Sequence, residues 1–251
     1  MRVAIVTGAS SGIGAATARR LDSEGWRVIV VARRAERLEE LARRLRDAHP
    51  LALDLTAADA PERVRRRVEQ EDGLHLLVNN AGASWPAAFA EPERGGYANV
   101  RRTMELNFDA QVRLTEALLP LLRRSAPSSI VNLSSTAGRV GLPRQGAYSA
   151  SKFALAGWSE VLQLEERRHG VHVGLVLPGF VVTEGFSQER LRRNRLTRRL
   201  LSTPDRVATA ILDAGPGGRA ERYVPRPYWL APAARLVAGP AWRRLAGGAR
   251  R

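Results

Sequence analysis

Cysteine is absent from this chain of 251 residues, so disulfides, thiolate metal sites and a cysteine nucleophile are all excluded. Histidine is scarce. His49, His75, His169 and His172 form no ligand set by their spacing, and no metal is expected. No apolar run approaches the ~18 residues of a membrane span. The Met1–Val6 stretch is too short for a signal-peptide core, and a cytoplasmic location is the expectation. Lysine is nearly missing too: of 40 basic residues, 39 are arginine and one, Lys152, is lysine. An ammonium is a compact point charge with rotatable donors that a planar guanidinium does not reproduce. The lone lysine therefore marks a position that needs an amine.

What abounds is positive charge. A formal net charge of +15 is large enough to attract polyphosphate of any sequence. Yet the arginines are interleaved with glutamate along helical stretches, as in Arg33-Arg34-Ala35-Glu36-Arg37-Leu38-Glu39-Glu40. That is the pattern of solvated helix faces carrying ion pairs. No specific nucleic-acid partner is expected.

Short runs rich in Val, Ile and Leu recur at Val3–Val6, Val28–Val31, Leu51–Leu53, Leu74–Val78, Ile130–Leu133 and Val171–Leu177. Runs apolar on both faces suit buried parallel strands. Between them, apolar residues at three and four spacing predict helices over Ile13–Leu21, Leu38–Leu45, Val64–Val68, Met104–Leu122 and Ala150–Leu164. Such alternation builds a doubly wound α/β sheet. After residue 183 the pattern changes. Gln188–Leu201 is arginine-dense and helical, Pro204–Ala214 is another helix, and Arg222–Val224 suits one more strand. From Pro225 onward, four prolines forbid a single long helix and predict short turns packed on the body.

The first strand runs into Thr7-Gly8-Ala9-Ser10-Ser11-Gly12-Ile13-Gly14, and a helix follows. Glycines there let the backbone approach a pyrophosphate, while the helix N-terminus offers unpaired N–H groups. Gly8, Ser10, Ser11, Gly12, Ile13 and Gly14 are thus candidate dinucleotide contacts.

From this loop onward the chain resembles the short-chain dehydrogenases/reductases, over nearly all of residues 1–224 and with the motifs in family order. Asn79-Asn80-Ala81-Gly82 resembles the family's turn after the fourth strand, with Asn80, Ala81 and Gly82 on the adenine side of the pocket. Asn107 matches a helix asparagine, Ser135 a serine ending a strand, and Tyr148-Ser149-Ala150-Ser151-Lys152 the Y-x-x-x-K pair. Pro178-Gly179, with Val181 and Thr183, is similar to the nicotinamide-binding segment. The resemblance implies a single Rossmann-type domain spanning 1–251, a parallel sheet of about seven strands with helices on both faces. Within it, 184–201 would be a substrate lid and 225–251 a Pro/Arg-rich tail. It also implies a homodimer or homotetramer built on Met104–Leu122 and Tyr148–Arg168.

The chemistry it implies is hydride transfer between a nicotinamide and a carbonyl or alcohol. Tyr148 would carry the proton, and Ser135 rather than Ser134 would hydrogen-bond the substrate oxygen. Asn107 would hold a water on a relay to Lys152, and Lys152 would also bind the nicotinamide ribose. Tyr148 and Lys152 lie four residues apart, so on a helix they share a face, and the ammonium is expected to lower the phenol's pKa.

Cofactor choice is written after the second strand. NAD enzymes carry an acid there, whereas this chain reads Val31-Ala32-Arg33-Arg34. Arg33 and Arg34 suit a 2′-phosphate, so NADP(H) is expected. Asp54 and Leu55 follow the third strand; Asp54 resembles the family residue that bonds the adenine amino group, or else it caps a helix. Trp85 and Phe186 are candidates for the substrate pocket. Two other readings fit the same residues: a non-catalytic NADP(H)-binding sensor or scaffold, and a 3-oxoacyl-thioester reductase. Against the second, the C-terminal end lacks a Gly-Gly-rich finish and reads Arg222-Tyr223-Val224-Pro225-Arg226-Pro227. His75 also stands where the family often has aspartate.

Overall fold

The computed structural model describes residues 1–184 and 201–239. Seven of its strands form one parallel sheet: β1 (Val3–Thr7), β2 (Arg27–Ala32), β3 (Ala48–Ala52), β4 (Leu76–Asn79), β5 (Ser128–Leu133), β6 (Val171–Pro178) and β9 (Glu221–Val224). Their order is β3-β2-β1-β4-β5-β6-β9. Parallel neighbours need a crossover. Helices α1 (Gly12–Ser23), α2 (Ala35–Arg43), α3 (Ala60–Val68), α5 (Ala110–Arg124), α6 (Gly146–Glu166) and α7 (Pro204–Ala214) supply those crossovers. The expected doubly wound Rossmann-type fold is what the chain adopts.

Alternate strand residues point to opposite faces, so two cores result. Ala4 and Val6 of β1, with Val28 and Val30 of β2, pack against Leu21 of α1, Leu38 of α2 and Ile211 of α7. Val3 and Ile5, with Ile29 and Val31, pack against Val64 of α3, Leu114 and Leu118 of α5 and Leu162 of α6. Each fully buried leucine contributes roughly 1.5–3 kcal/mol by leaving water. Continuous apolar runs are required because both faces are covered.

The differences from expectation have local causes. The third strand begins earlier than Leu51 and contains His49 and Pro50. Proline is tolerated there because β3 pairs only with β2 and its other edge is open. The helix expected at Met104 is longer: α4 (Gly96–Met104) runs through a π-turn at Glu105–Asp109 directly into α5. The tail forms a 3₁₀ turn, Arg226–Trp229, and α8 (Leu230–Val237). Two short strands, β7 (Phe180–Val181) and β8 (Leu201–Ser202), pair on either side of the expected lid, whose residues 185–200 lie outside the described residues. The helix expected over Gln188–Leu201 therefore falls almost wholly outside them as well. Among the described residues, no helix is long and apolar enough to cross a membrane.

Strand order reverses between β1 and β4, one leading outward to β2 and the other to β5. Ligands of open α/β sheets bind at such a switch point, beyond the strand C-termini. Thr7 and Asn79 end those two strands.

Candidate active site

The switch point is latched by Thr7. Its hydroxyl donates to the Val78 carbonyl at 3.1 Å and accepts from the amides of Asn80 and Ala81 at 2.9 and 3.0 Å. Asn80 Nδ2 returns a bond to the Thr7 carbonyl at 2.7 Å. Gly8 follows at φ +66°, and a Cβ there would stand 2.8 Å from Asn80 Nδ2. At Gly14 a Cβ would stand 2.4 Å from the Gly8 carbonyl oxygen, so α1 begins against the loop only because that side chain is missing.

Ser11 is the N-cap of α1, yet its hydroxyl makes no cap bond. Instead it accepts from Arg34 Nη2 at 2.8 Å, and Ser10 Oγ accepts from Arg34 Nε and Nη2 at 3.1 and 2.8 Å. First-turn amides, two hydroxyls and a guanidinium thus gather at one helix end, the donor set of a phosphate site. Arg33 is more loosely held, with Nη1 3.8 Å from Asp54 Oδ2. Asp54 closes the turn that follows β3: its Oδ1 accepts from the Thr56 amide at 3.0 Å and hydroxyl at 2.8 Å. That amide bond, helped by the Thr56 hydroxyl and Arg33, holds the Asp54 carboxyl below the usual range against the opposing effect of burial. The helix-cap alternative does not hold, because Asp59 occupies the N-cap of α3. The Leu55 side chain lies in the core with Leu53 and Val64. His75 takes a structural bond, its Nδ1 accepting from the Val3 amide at 3.2 Å.

The other half of the site comes from β5 and α6. Ser135, just past β5, donates to the Pro178 carbonyl at 3.3 Å, accepts from the Ala137 amide at 3.1 Å and hydrogen-bonds the Tyr148 phenol. Ser134 is turned away and donates to the Lys152 carbonyl at 2.9 Å. Lys152 Nζ donates to the Leu133 carbonyl at 2.8 Å and stands 5.8 Å from the ring centre of Tyr148. Burial lowers the Lys152 ammonium to about 8, because the charged form loses its hydration. The expected fall in the phenol's pKa is not met. Burial pushes Tyr148 up, and the opposing pull comes from the Ser135 bond. The reason is geometric: at this separation the ammonium is engaged with a backbone carbonyl and not with the phenol.

Asn107 sits in the π-turn, a one-residue widening common where a helix serves a site. Its Oδ1 accepts from the Ala83 amide at 2.9 Å, while Nδ2 donates to the Ala83 carbonyl at 2.9 Å and to Ser151 Oγ at 3.1 Å. The side chain therefore clamps the chain after Gly82 to α6. None of these bonds reaches Lys152. A Cβ on Gly82 would stand 3.0 Å from Asn107 Oδ1 and 3.5 Å from Lys152 Nζ, so this glycine keeps the space beside the ammonium open.

A cleft of about 350 Å³ joins the two halves. One end is walled by Gly8, Ser11, Gly12, Ile13 and the Asn80–Gly82 turn, and the middle by Ser135, Tyr148 and Lys152. Pro178, Gly179, Val181 and Thr183 complete it. Ser10, Gly14, Arg33, Arg34, Asp54, Leu55 and Asn107 lie outside this wall. Seven wall residues carry no motif in the sequence: Ala83, Ser84, Thr136, Ala137, Leu142, Gln145 and Phe180. Ser84 Oγ donates to Gln145 Oε1 at 2.7 Å, a polar pair next to two apolar side chains. The only sequence signal was the position of Gln145 at the N-cap of the helix that carries Tyr148. Trp85 is not in the wall; its ring lies 4.8 Å from the Arg102 guanidinium. Phe186 lies outside the described residues.

The residues present fit a dinucleotide phosphate group. Glycines leave the loop bare where a side chain would collide, the α1 N-terminus is uncapped, and Arg34 is already oriented on Ser10 and Ser11.

Comparison with known proteins agrees with this geometry. The short chain dehydrogenase family model matches residues 2–194. Among curated relatives, a 3-ketodihydrosphingosine reductase of Bacteroides thetaiotaomicron is 35% identical over 190 residues, 75% of this chain and 67% of that protein. A putative ketoacyl reductase of Streptomyces coelicolor is 40% identical over 189 residues, 72% of this chain and 71% of that protein. Among solved structures, a point variant of actinorhodin polyketide ketoreductase with NADPH superposes with a TM-score of 0.79 at 32% identity, over 89% of this chain and 95% of that one. The chain belongs to the short-chain dehydrogenase family of oxidoreductases.

Proposed function

We propose that this protein is an NADP(H)-dependent oxidoreductase that reduces a ketone or aldehyde to the alcohol, and runs the reverse oxidation when the alcohol is in excess. The observation that carries this reading is the placement of Ser135, Tyr148 and Lys152 on one stretch of a cleft whose far end is the glycine loop. Bound along that cleft, the reduced nicotinamide supplies the hydride.

The chain's own residues manage the proton and the charge. A phenol is protonated at neutral pH, and burial raises the Tyr148 pKa further, so it stands in the cleft as the acid that quenches the alkoxide formed on reduction. The Ser135 bond to the Pro178 carbonyl is long at 3.3 Å, so its hydroxyl swings to a substrate oxygen at little cost. Lys152 aims an ammonium into the cleft as a cofactor-orienting donor, and Asn107 fixes the floor beside it through Ala83. Arg34, and more weakly Arg33, discriminate for the 2′-phosphate. The intact proton-handling set argues against a purely sensing role.

Leu142 and Phe180 favour a substrate with an apolar body. The relatives named as 3-ketodihydrosphingosine and ketoacyl reductases, and the polyketide ketoreductase, share a keto group as the reduced centre, which supports a ketone. The test is NADPH consumption against a panel of ketones and aldehydes graded in chain length. Turnover that improves with chain length supports the reading. Bound NADPH that no carbonyl oxidises, even in a single turnover, overturns it in favour of a sensor.

A further inference from the structure

Beyond the cleft, the last described helix carries an apolar face that is largely exposed. No residue of α8 or of the turn before it is buried. Trp229, Leu230, Leu236 and Val237 expose 53, 54, 82 and 90% of their surface. On a helix, residues spaced by three, four and seven share a side, so these four and Ala233 form one stripe about 120° wide. The opposite side holds the helix down. Arg235 Nη1 donates to the Arg139 carbonyl at 2.6 Å, and its guanidinium lies 5.3 Å from the Phe153 ring centre.

The stripe starts at the rim of the cleft. The Tyr228 ring covers Gly179, where a Cβ would stand 2.5 Å from the ring carbons, and packs edge-on to Phe180 at 6.5 Å. Gly179 and Phe180 both line the cleft. Charge follows the same segment. After Glu221 the sequence has no acidic residue; Arg222 is paired with Asp213 and Arg235 lies on the anchored side, while Arg226, Arg243, Arg244, Arg250 and Arg251 are further basic residues and Trp229 and Trp242 are aromatic. An aliphatic stripe flanked by tryptophan and arginine is the composition of a helix lying in a lipid–water interface, its apolar side chains among acyl carbons and its cations among anionic headgroups. A second copy seated here would bring together two arginine-rich, acid-free segments, which like-charge repulsion opposes.

We propose that this face docks on an anionic lipid bilayer and brings the mouth of the cleft to the membrane surface. The contact is peripheral, and an apolar substrate dissolved in the bilayer would then reach the cleft without crossing water.

The test is flotation of the full chain with vesicles of phosphatidylcholine and phosphatidylglycerol, against phosphatidylcholine alone, in about 0.15 M salt. The comparison variant is the double substitution Leu236→Glu, Val237→Glu, at the two most exposed apolar positions of the stripe, where no packing is lost. Its thermal melt and its turnover of a water-soluble ketone are expected to be unchanged. The native chain should float with the anionic vesicles, and the variant should bind them about tenfold more weakly or worse. Failure of the native chain to float, or equal binding by the variant, overturns the proposal. So does a variant that changes from dimer to monomer in sedimentation velocity, since that would assign the stripe to a second copy. Vesicle binding is read without turnover, so the result does not depend on the catalytic reading.

Discussion

The ammonium of Lys152 lies 5.8 Å from the ring centre of Tyr148 and is engaged with the Leu133 carbonyl at 2.8 Å. Held there, it is stripped of water and loses its proton at about 8. The sign follows: below that pH the side chain is a cation, and above it a neutral amine that no longer attracts the dinucleotide's negative charge. The kcat/KM for NADPH reports ionisations of the free protein. It should be level below about pH 8 and fall about tenfold per unit above it, with the inflection absent in Lys152→Met. A profile level to pH 10 would separate Lys152 from cofactor capture.

Tyr148→Phe removes the proton donor and keeps the ring. The phenol is neutral at pH 7, and burial shifts it further that way, so the substitution costs no charge interaction in the resting site. Steady-state kcat should drop by about 10²–10⁴. The NADPH dissociation constant, read by fluorescence titration, should stay within about twofold, as for a group used only in the transition state. Near-normal turnover would remove Tyr148 from the chemistry.

Arg33 and Arg34 are adjacent in sequence but unequal in place. The Arg34 fork rests on Ser10 and Ser11, while Arg33 has a side chain 72% exposed and, among the described residues, pairs with Asp54 alone at 3.8 Å. A hydrogen bond to a charged group is worth ~1.5–3 kcal/mol, and exposure discounts it. Arg34→Ala should therefore weaken NADPH binding by about 10–100-fold and Arg33→Ala by less than about tenfold, with NADH little changed in either. Isothermal titration with both nucleotides decides it. Equal losses for NADPH and NADH would mean that the arginines support the loop and not a phosphate.

The sheet was legible because parallel strands buried on both faces are apolar along most of their length, as in Val3–Val6 and Val28–Ala32. β3 was misplaced because an edge strand can hold His49 and Pro50, which look like a loop. The π-turn at Glu105–Asp109 leaves no mark in a periodicity that shifts by a single residue. In the site, residues fixed by backbone need could be read: glycines where a Cβ collides, and a lysine in a chain of arginines. Gln145, Ser84, Leu142 and Phe180 could not, since side chains that merely face a substrate need only size and polarity. Nor could the phenol's upward shift be foreseen. Spacing places Lys152 on the same helix face as Tyr148, but the Leu133 carbonyl that takes its bond comes from β5.

Arg123 at the end of α5 and Glu166 at the end of α6 fasten together two helices that flank one face of the sheet. The guanidinium donates from Nε at 2.8 Å and Nη2 at 2.6 Å to the two carboxylate oxygens. The Glu166 side chain is 4% exposed and the Arg123 side chain 40%. The arginine bonds hold the Glu166 carboxyl below its usual range, with weaker help from His169 and Arg168 and against burial. A lowered carboxyl stabilises the fold fully above its unfolded pKa and loses that stabilisation as pH falls through the folded value. Removing one partner is not symmetric. Arg123→Ala strands a buried carboxylate, whereas Glu166→Gln leaves a half-exposed guanidinium that water can reach. Arg123→Ala should cost about 2 kcal/mol at pH 7, less than a fully buried pair because Arg168 and His169 remain nearby, and Glu166→Gln about 1 kcal/mol. Lowering the pH to about 4 should shrink the penalty of Arg123→Ala, because the stranded carboxyl then takes a proton, and should also lower the stability of the native chain. Urea melts of the three proteins at both pH values measure this, and a penalty for Arg123→Ala that does not change with pH would show that packing of the arginine stem, and not its charge, joins the helices.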